Sequence, residues 1–79
     1  MNSARNNINV LSSDLVIAIG HGAGTTSEIA LAIKANKKVI LLNQELDSQK
    51  FFKKIGGDNI IIASSSKEAV AIVKRLLKK

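Results

Sequence analysis

Three stretches of the chain are apolar, but for the Asn59 that opens the third, and rich in β-branched residues: Leu15–Ile19, Val39–Leu42 and Asn59–Ala63. None alternates as a strand with one wet face would, so each reads as a strand covered on both faces, the habit of parallel sheets. Between them the period lengthens. Ile29, Ala30 and Ile33 predict a helix over 26–35, and Phe51, Phe52 and Ile55 predict one over 48–55. The last segment carries the strongest stripe, Ala69, Val70, Ile72, Val73, Leu76 and Leu77, with Ser65 and Glu68 at capping-box spacing, and predicts a helix over 66–78. Ahead of the first strand, Ala4, Ile8 and Leu11 form a weaker stripe that predicts a helix over 3–11. The expected fold class is α/β, a three-layer parallel sheet with strands 15–19, 38–42 and 59–63, in one domain spanning 1–79.

Successive right-handed crossovers place their helices on one face of a sheet, so this order alone leaves the second face bare. The double-sided strands require a cover for it. The candidates are the helix over 3–11, an N-terminal half supplied from elsewhere, or a second copy of the chain.

Composition narrows the function classes. At 79 residues, a chain buries only about 60% of its unfolded surface, which makes the core thin. With 46% hydrophobic and 23% charged residues it is a folding sequence and not a disordered one. It has no cysteine and one histidine, so disulfides and a structural metal site are not expected, and the pattern asks for no cofactor. The longest apolar run is too short to span a bilayer, and the N-terminus lacks a signal pattern, so no membrane association and a cytoplasmic location are expected. The net charge is +6, but the excess sits in Lys37–Lys38, Lys53–Lys54 and the run from Lys74 to Lys79. Cations at helix ends complement the dipole, and the only aromatics are Phe51 and Phe52, so specific nucleic-acid binding is not expected. On a helix these two adjacent rings cannot both face one core, so one is expected at an exposed edge.

The chemistry-bearing segment follows the first parallel strand: Gly20, His21, Gly22, Ala23, Gly24, Thr25 and Thr26, opening a helix. Glycines there permit positive φ and close backbone approach, while a helix start offers unpaired N–H groups and partial positive charge, a combination suited to phosphate. Ligands of open α/β sheets also sit beyond the carboxyl ends of the strands. The spacing GxGxGTxxE is neither a P-loop nor the dinucleotide GxGxxG, so neither ATP hydrolysis nor NAD binding is expected.

With Arg5 upstream and Glu28 at its end, this segment resembles the SLOG superfamily of Rossmann-like proteins, which includes the LOG-type nucleotide phosphoribohydrolases, a lysine-decarboxylase-like group whose motif is PGGxGTxxE. Gly20 stands where those enzymes have proline, and His21 where they have the first glycine. The run from Arg5 to Leu42 looks closest to a less characterised branch of small proteins in the superfamily. The resemblance implies a catalytic pair of Arg5 and Glu28, a phosphate cradle over Gly20–Thr26, and a nucleotide or other phosphorylated small molecule as partner. It also implies an N-terminal half carrying further strands, so that this chain is part of a domain; if active, the whole would hydrolyse the N-glycosidic bond of a nucleoside 5'-monophosphate.

Each residue also has a plainer reading. Glu28 follows Thr25 at capping-box spacing and would then satisfy a backbone N–H, and Thr25, Thr26 and Ser27 would serve as caps. Arg5 would be a solvated side chain near a chain end, and His21 a neutral surface residue. Asn43 and Gln44, just past the second parallel strand, stand where they would line a ligand crevice. Two rival functions remain at this level. One is a non-catalytic oligomerisation module. The other is the nucleotide-sugar-binding piece of a GT-B glycosyltransferase, which the run from Gly22 to Glu28 with Asp47–Ser48–Gln49 also resembles.

Overall fold

The computed structural model describes residues 8–20 and 23–78. Strand β1 (Ile8–Ser12) pairs antiparallel with β2 (Leu15–Ile19), and β3 (Lys38–Leu42) and β4 (Ile60–Ala63) continue the sheet in parallel, in the order β1-β2-β3-β4. Helix α1 (Ala23–Lys34) joins β2 to β3, and α2 (Leu46–Gly56) with a short 3-10 turn over Gly57–Asn59 joins β3 to β4. Helix α3 (Ser66–Leu77) follows β4. The expected α/β class, the three parallel strands and the helices behind them are all present.

The two faces of the sheet bury separate sets of residues. Val16, Ala18, Val39, Leu41 and Ile60 pack against Ile29 and Ala32 of α1 and Phe52 of α2. Leu15, Ile17, Ile40, Leu42 and Ala63 pack against Ala69 and Ile72 of α3. Alternate residues of each parallel strand therefore enter opposite cores, which is why these strands read as unbroken apolar runs. The first two helices share a face, as successive crossovers require.

The expectation that the second face would be covered by the helix over 3–11, by an N-terminal half or by a second copy is corrected by α3, which packs on that face. Its stripe supplies Ala69 and Ile72 to the core, with Val73 and Leu76 packed at the margin.

The helix expected over 3–11 is also corrected, because residues 8–12 form β1. Three apolar residues are a weak helical signal, whereas β2 offers a free edge whose backbone groups want partners. Ser13 and Asp14 turn the chain, Asp14 N–H donates to Ser12 Oγ at 3.3 Å, and the pairing runs Ile8 with Ala18 to Ser12 with Leu15 across an irregularity between Val10 and Ser12. Lys38 N–H then donates to the Asp14 carbonyl at 2.8 Å, which fixes the hairpin turn against β3. Val10 stays 68% exposed, consistent with an edge strand.

The candidate anion-binding turn

Gly20 ends β2 with φ of 78°, a left-handed conformation that glycine adopts without steric cost. Its N–H donates to the Leu42 carbonyl at 2.9 Å, so the turn leaves β2 at the carboxyl edge of the sheet, beside the end of β3. Helix α1 begins at Ala23, three residues earlier than the period of the sequence suggested. The shift has a simple cause: the stripe read from the sequence marks apolar residues at helical spacing, and its first is Ile29, well inside the helix. Ala23, Gly24 and Thr25 are therefore the first helical residues, whose N–H groups have no acceptor within the helix. No acidic side chain lies in that first turn, unlike α2 with Asp47 and α3 with Glu68.

The early start changes the role open to Glu28. Thr25 is the third residue of α1 and Glu28 the sixth, so the pair cannot form a capping box. Thr25 is instead buried, 2% exposed, while Thr26 and Ser27 face solvent. Glu28 is half-buried and lines a groove of ≈ 270 Å³ between α1 and β1, whose walls include Ile8, Val10, Val16 and Leu31. Arg5, His21 and Gly22 lie outside the described residues.

Gln44 and Asn43 do not behave alike. Asn43 is exposed and adopts φ of 61°, while Gln44 is buried at 9% exposure, and its Nε2 donates to the Gly20 carbonyl. The Gln44 carbonyl in turn accepts from Gln49 Nε2 at 2.9 Å. The position of these residues just past β3 marked them for the crevice; their opposite orientations were not visible in the sequence, because a one-residue left-handed kink decides them.

At the end of β4, Ser65 caps α3 by accepting from Glu68 N–H at 3.1 Å. The Glu68 carboxylate reaches one residue further back than a capping box would, accepting from Ser64 N–H at 2.7 Å and from Ser64 Oγ at 2.6 Å. The Ser64 hydroxyl and then its backbone N–H hold the Glu68 carboxyl below its ordinary value. Among the described residues no group of three or more His, Cys, Asp or Glu is placed to hold a metal, and no helix is long and apolar enough to cross a membrane.

A solved structure of the molybdenum cofactor carrier protein from Chlamydomonas reinhardtii matches with a TM-score of 0.80 and 45% identity, covering 98% of this chain and 48% of that one. A second structure of the Chlamydomonas Moco carrier protein matches with a TM-score of 0.82 and 44% identity, over 100% of this chain and 50% of that one. An uncharacterised protein of Archaeoglobus fulgidus is 55% identical over 42 residues, which is 53% of this chain and 28% of that protein. The chain thus spans about half the length of the solved structures it matches. The SLOG cluster4 family profile matches residues 1–70, and the chain belongs to that family.

Proposed function

We propose that this chain forms the phosphate-binding side of a small-molecule site, and that the ligand is a nucleoside monophosphate or another phosphorylated small molecule held between β2 and α1. The observation that carries the reading is the opening turn of α1. It offers the amides that any helix start leaves without acceptors in the helix, it follows β2 at the carboxyl edge of the sheet, and it carries no acidic side chain of its own. Gly20 supports it by bringing the backbone to that edge without a Cβ. In this reading the cradle runs from Gly20 through Thr26 and includes His21 and Gly22.

Arg5 belongs to the same proposal. Ile8 pairs with Ala18 near the carboxyl end of β2, and three residues of extended chain reach at most about 10 Å. From there its planar fork could clamp a phosphate on the turn. The remainder of the site comes from an N-terminal portion like that of the longer relatives, or from a second copy of this chain.

Isothermal calorimetry of the purified chain against AMP tests the reading. Saturable binding supports it; no heat with AMP or any other nucleoside monophosphate removes it. A second reading, transport of the molybdenum cofactor without chemistry, is favoured by the 44–45% identity to the carrier protein. Tighter binding of that cofactor than of AMP, with no free base released from any monophosphate, selects the carrier.

A further inference from the structure

Among the described residues the sheet ends at β4, so one edge of that strand has no neighbouring strand. Ile60, which opens β4, spends both backbone groups outside the sheet. Its N–H donates to the Gly57 carbonyl, and its C=O accepts from Lys53 Nζ at 2.8 Å. A strand turns the N–H and C=O of alternate residues to one edge, so those of Ile62 lie on this same open side. The Ile62 side chain falls on the same face as the fully buried Ile60, yet it is 39% exposed. Helix α2 passes beside it and leaves a groove of ≈ 410 Å³ walled by Leu46, Gln49, Lys50, Lys53 and Lys54. At i, i+3, i+4, i+7 and i+8 spacing these five form one stripe of α2, while Phe52 faces the core. Leu46 and Ile62 make the groove apolar between its lysines, and among the described residues no acid lines it.

We propose that this edge is a docking site for an extended, acidic segment of a partner protein, which adds as a further strand beside β4. In the free chain Lys53 occupies the Ile60 carbonyl and guards the edge against indiscriminate pairing, a service that edge lysines commonly perform. An arriving strand donates a backbone N–H to that carbonyl in place of Lys53, and the released ammonium turns to a carboxylate of the segment. Lys50 and Lys54 meet further carboxylates at the rim, and an apolar side chain of the segment rests on Ile62 and Leu46. Charge selects this occupant. A second copy of the chain, with its net charge of +6, would bring lysine against lysine across a two-fold edge. An anionic membrane suits the lysines but has no strand to offer the Ile62 backbone.

The probe is a capped, fluorescein-labelled heptapeptide, Thr-Glu-Thr-Ile-Thr-Glu-Thr, whose isoleucine and glutamates share one face of a strand. Fluorescence anisotropy with the whole chain should show saturable binding in the micromolar range that weakens as salt rises. The double variant Lys50→Glu, Lys54→Glu, altered only at exposed positions, should lose about tenfold in affinity, the scale of two rim ion pairs. A peptide with lysine in place of both glutamates should not bind. Strand addition has a signature of its own: of two peptides N-methylated at complementary sets of alternate amides, one should lose binding and the other keep it, because only alternate amides face β4. Absence of saturable binding overturns the proposal, as does equal binding by the lysine peptide or by the double variant, or an equal effect of both N-methylated sets. A chain that self-associates through β4 and excludes the peptide, or that binds phosphatidylglycerol vesicles but not the peptide, assigns the edge to another occupant and overturns it too.

Discussion

Adjacent residues in this chain meet opposite fates because of a single angle or a single contact. Phe52 is 2% exposed in the core, whereas Phe51 beside it is 55% exposed, its ring edge-on to Phe52 with centroids 5.3 Å apart. Gly56 and Gly57 differ as sharply. A Cβ on Gly56 would lie 2.5 Å from Ile60 Cγ1 and 2.9 Å from its Cδ1, while one on Gly57 would meet nothing within 4 Å, yet Gly57 holds φ of 61°. Gly56→Ala should cost about 1–3 kcal/mol through overpacking. Gly57→Ala should cost on the order of 1–3 kcal/mol through backbone strain alone. Urea denaturation separates the two causes: combined with Ile60→Ala, the first cost should shrink and the second should add unchanged. At Glu28 the structure withdraws the capping-box role, so Glu28→Gln tests the catalytic role that the family resemblance implies for it. In an assembly that hydrolyses nucleoside monophosphates, base release should fall by at least about 100-fold, the scale of a lost charge-stabilising group. The melting temperature should stay close to wild type. Unchanged base release clears Glu28.

At the scale of elements, the strength of the local signal decided how far the pattern could be trusted. The α3 stripe repeats over three turns with a serine cap, and the helix forms over 66–77, within one residue of the expected end. Ser65→Ala should destabilise the chain by about 1 kcal/mol in thermal or urea melts, since it removes the acceptor for Glu68 N–H. Glu68 adds a pH dependence. Because its folded pKa is lowered, its contribution is present above the unfolded glutamate value and is lost as pH falls through the folded one. The melting-temperature gap between wild type and Glu68→Gln should therefore be open at pH 7 and close as the pH falls below the ordinary glutamate range. A gap that is constant with pH would contradict the Ser64 contacts. The segment before β2 shows the opposite case, since its three spaced apolar residues suit a helix or a strand, and the open edge of β2 settles the matter.

For the whole molecule, two thin cores share one four-stranded sheet. Ile40 lies in the middle strand of the parallel set, fully buried under α3. Ile40→Ala should cost about 2–5 kcal/mol, comparable with the whole stability of a domain this small. Circular dichroism at 25 °C should show it largely unfolded. A cooperative melt close to wild type would mean that α3 contributes little to the fold. On the other side, Leu31 and Phe51 of α1 and α2 remain more than half exposed and Ile55 nearly half, whereas the strand residues beneath them are covered.

The sequence by itself determined the parallel strands, the helices that follow them, the glycine turn and its family resemblance, because each is a local pattern: a run buried on both faces, a 3.6-residue stripe, glycines ahead of a helix. Tertiary structure alone decided that residues 8–12 form a strand, that α3 covers the second face, that Glu28 lines a groove and that Gln44 reaches back to Gly20. Those outcomes depend on which backbone edges and sheet faces remain open once the rest has packed, and contacts between residues far apart in the chain leave no periodic trace along it.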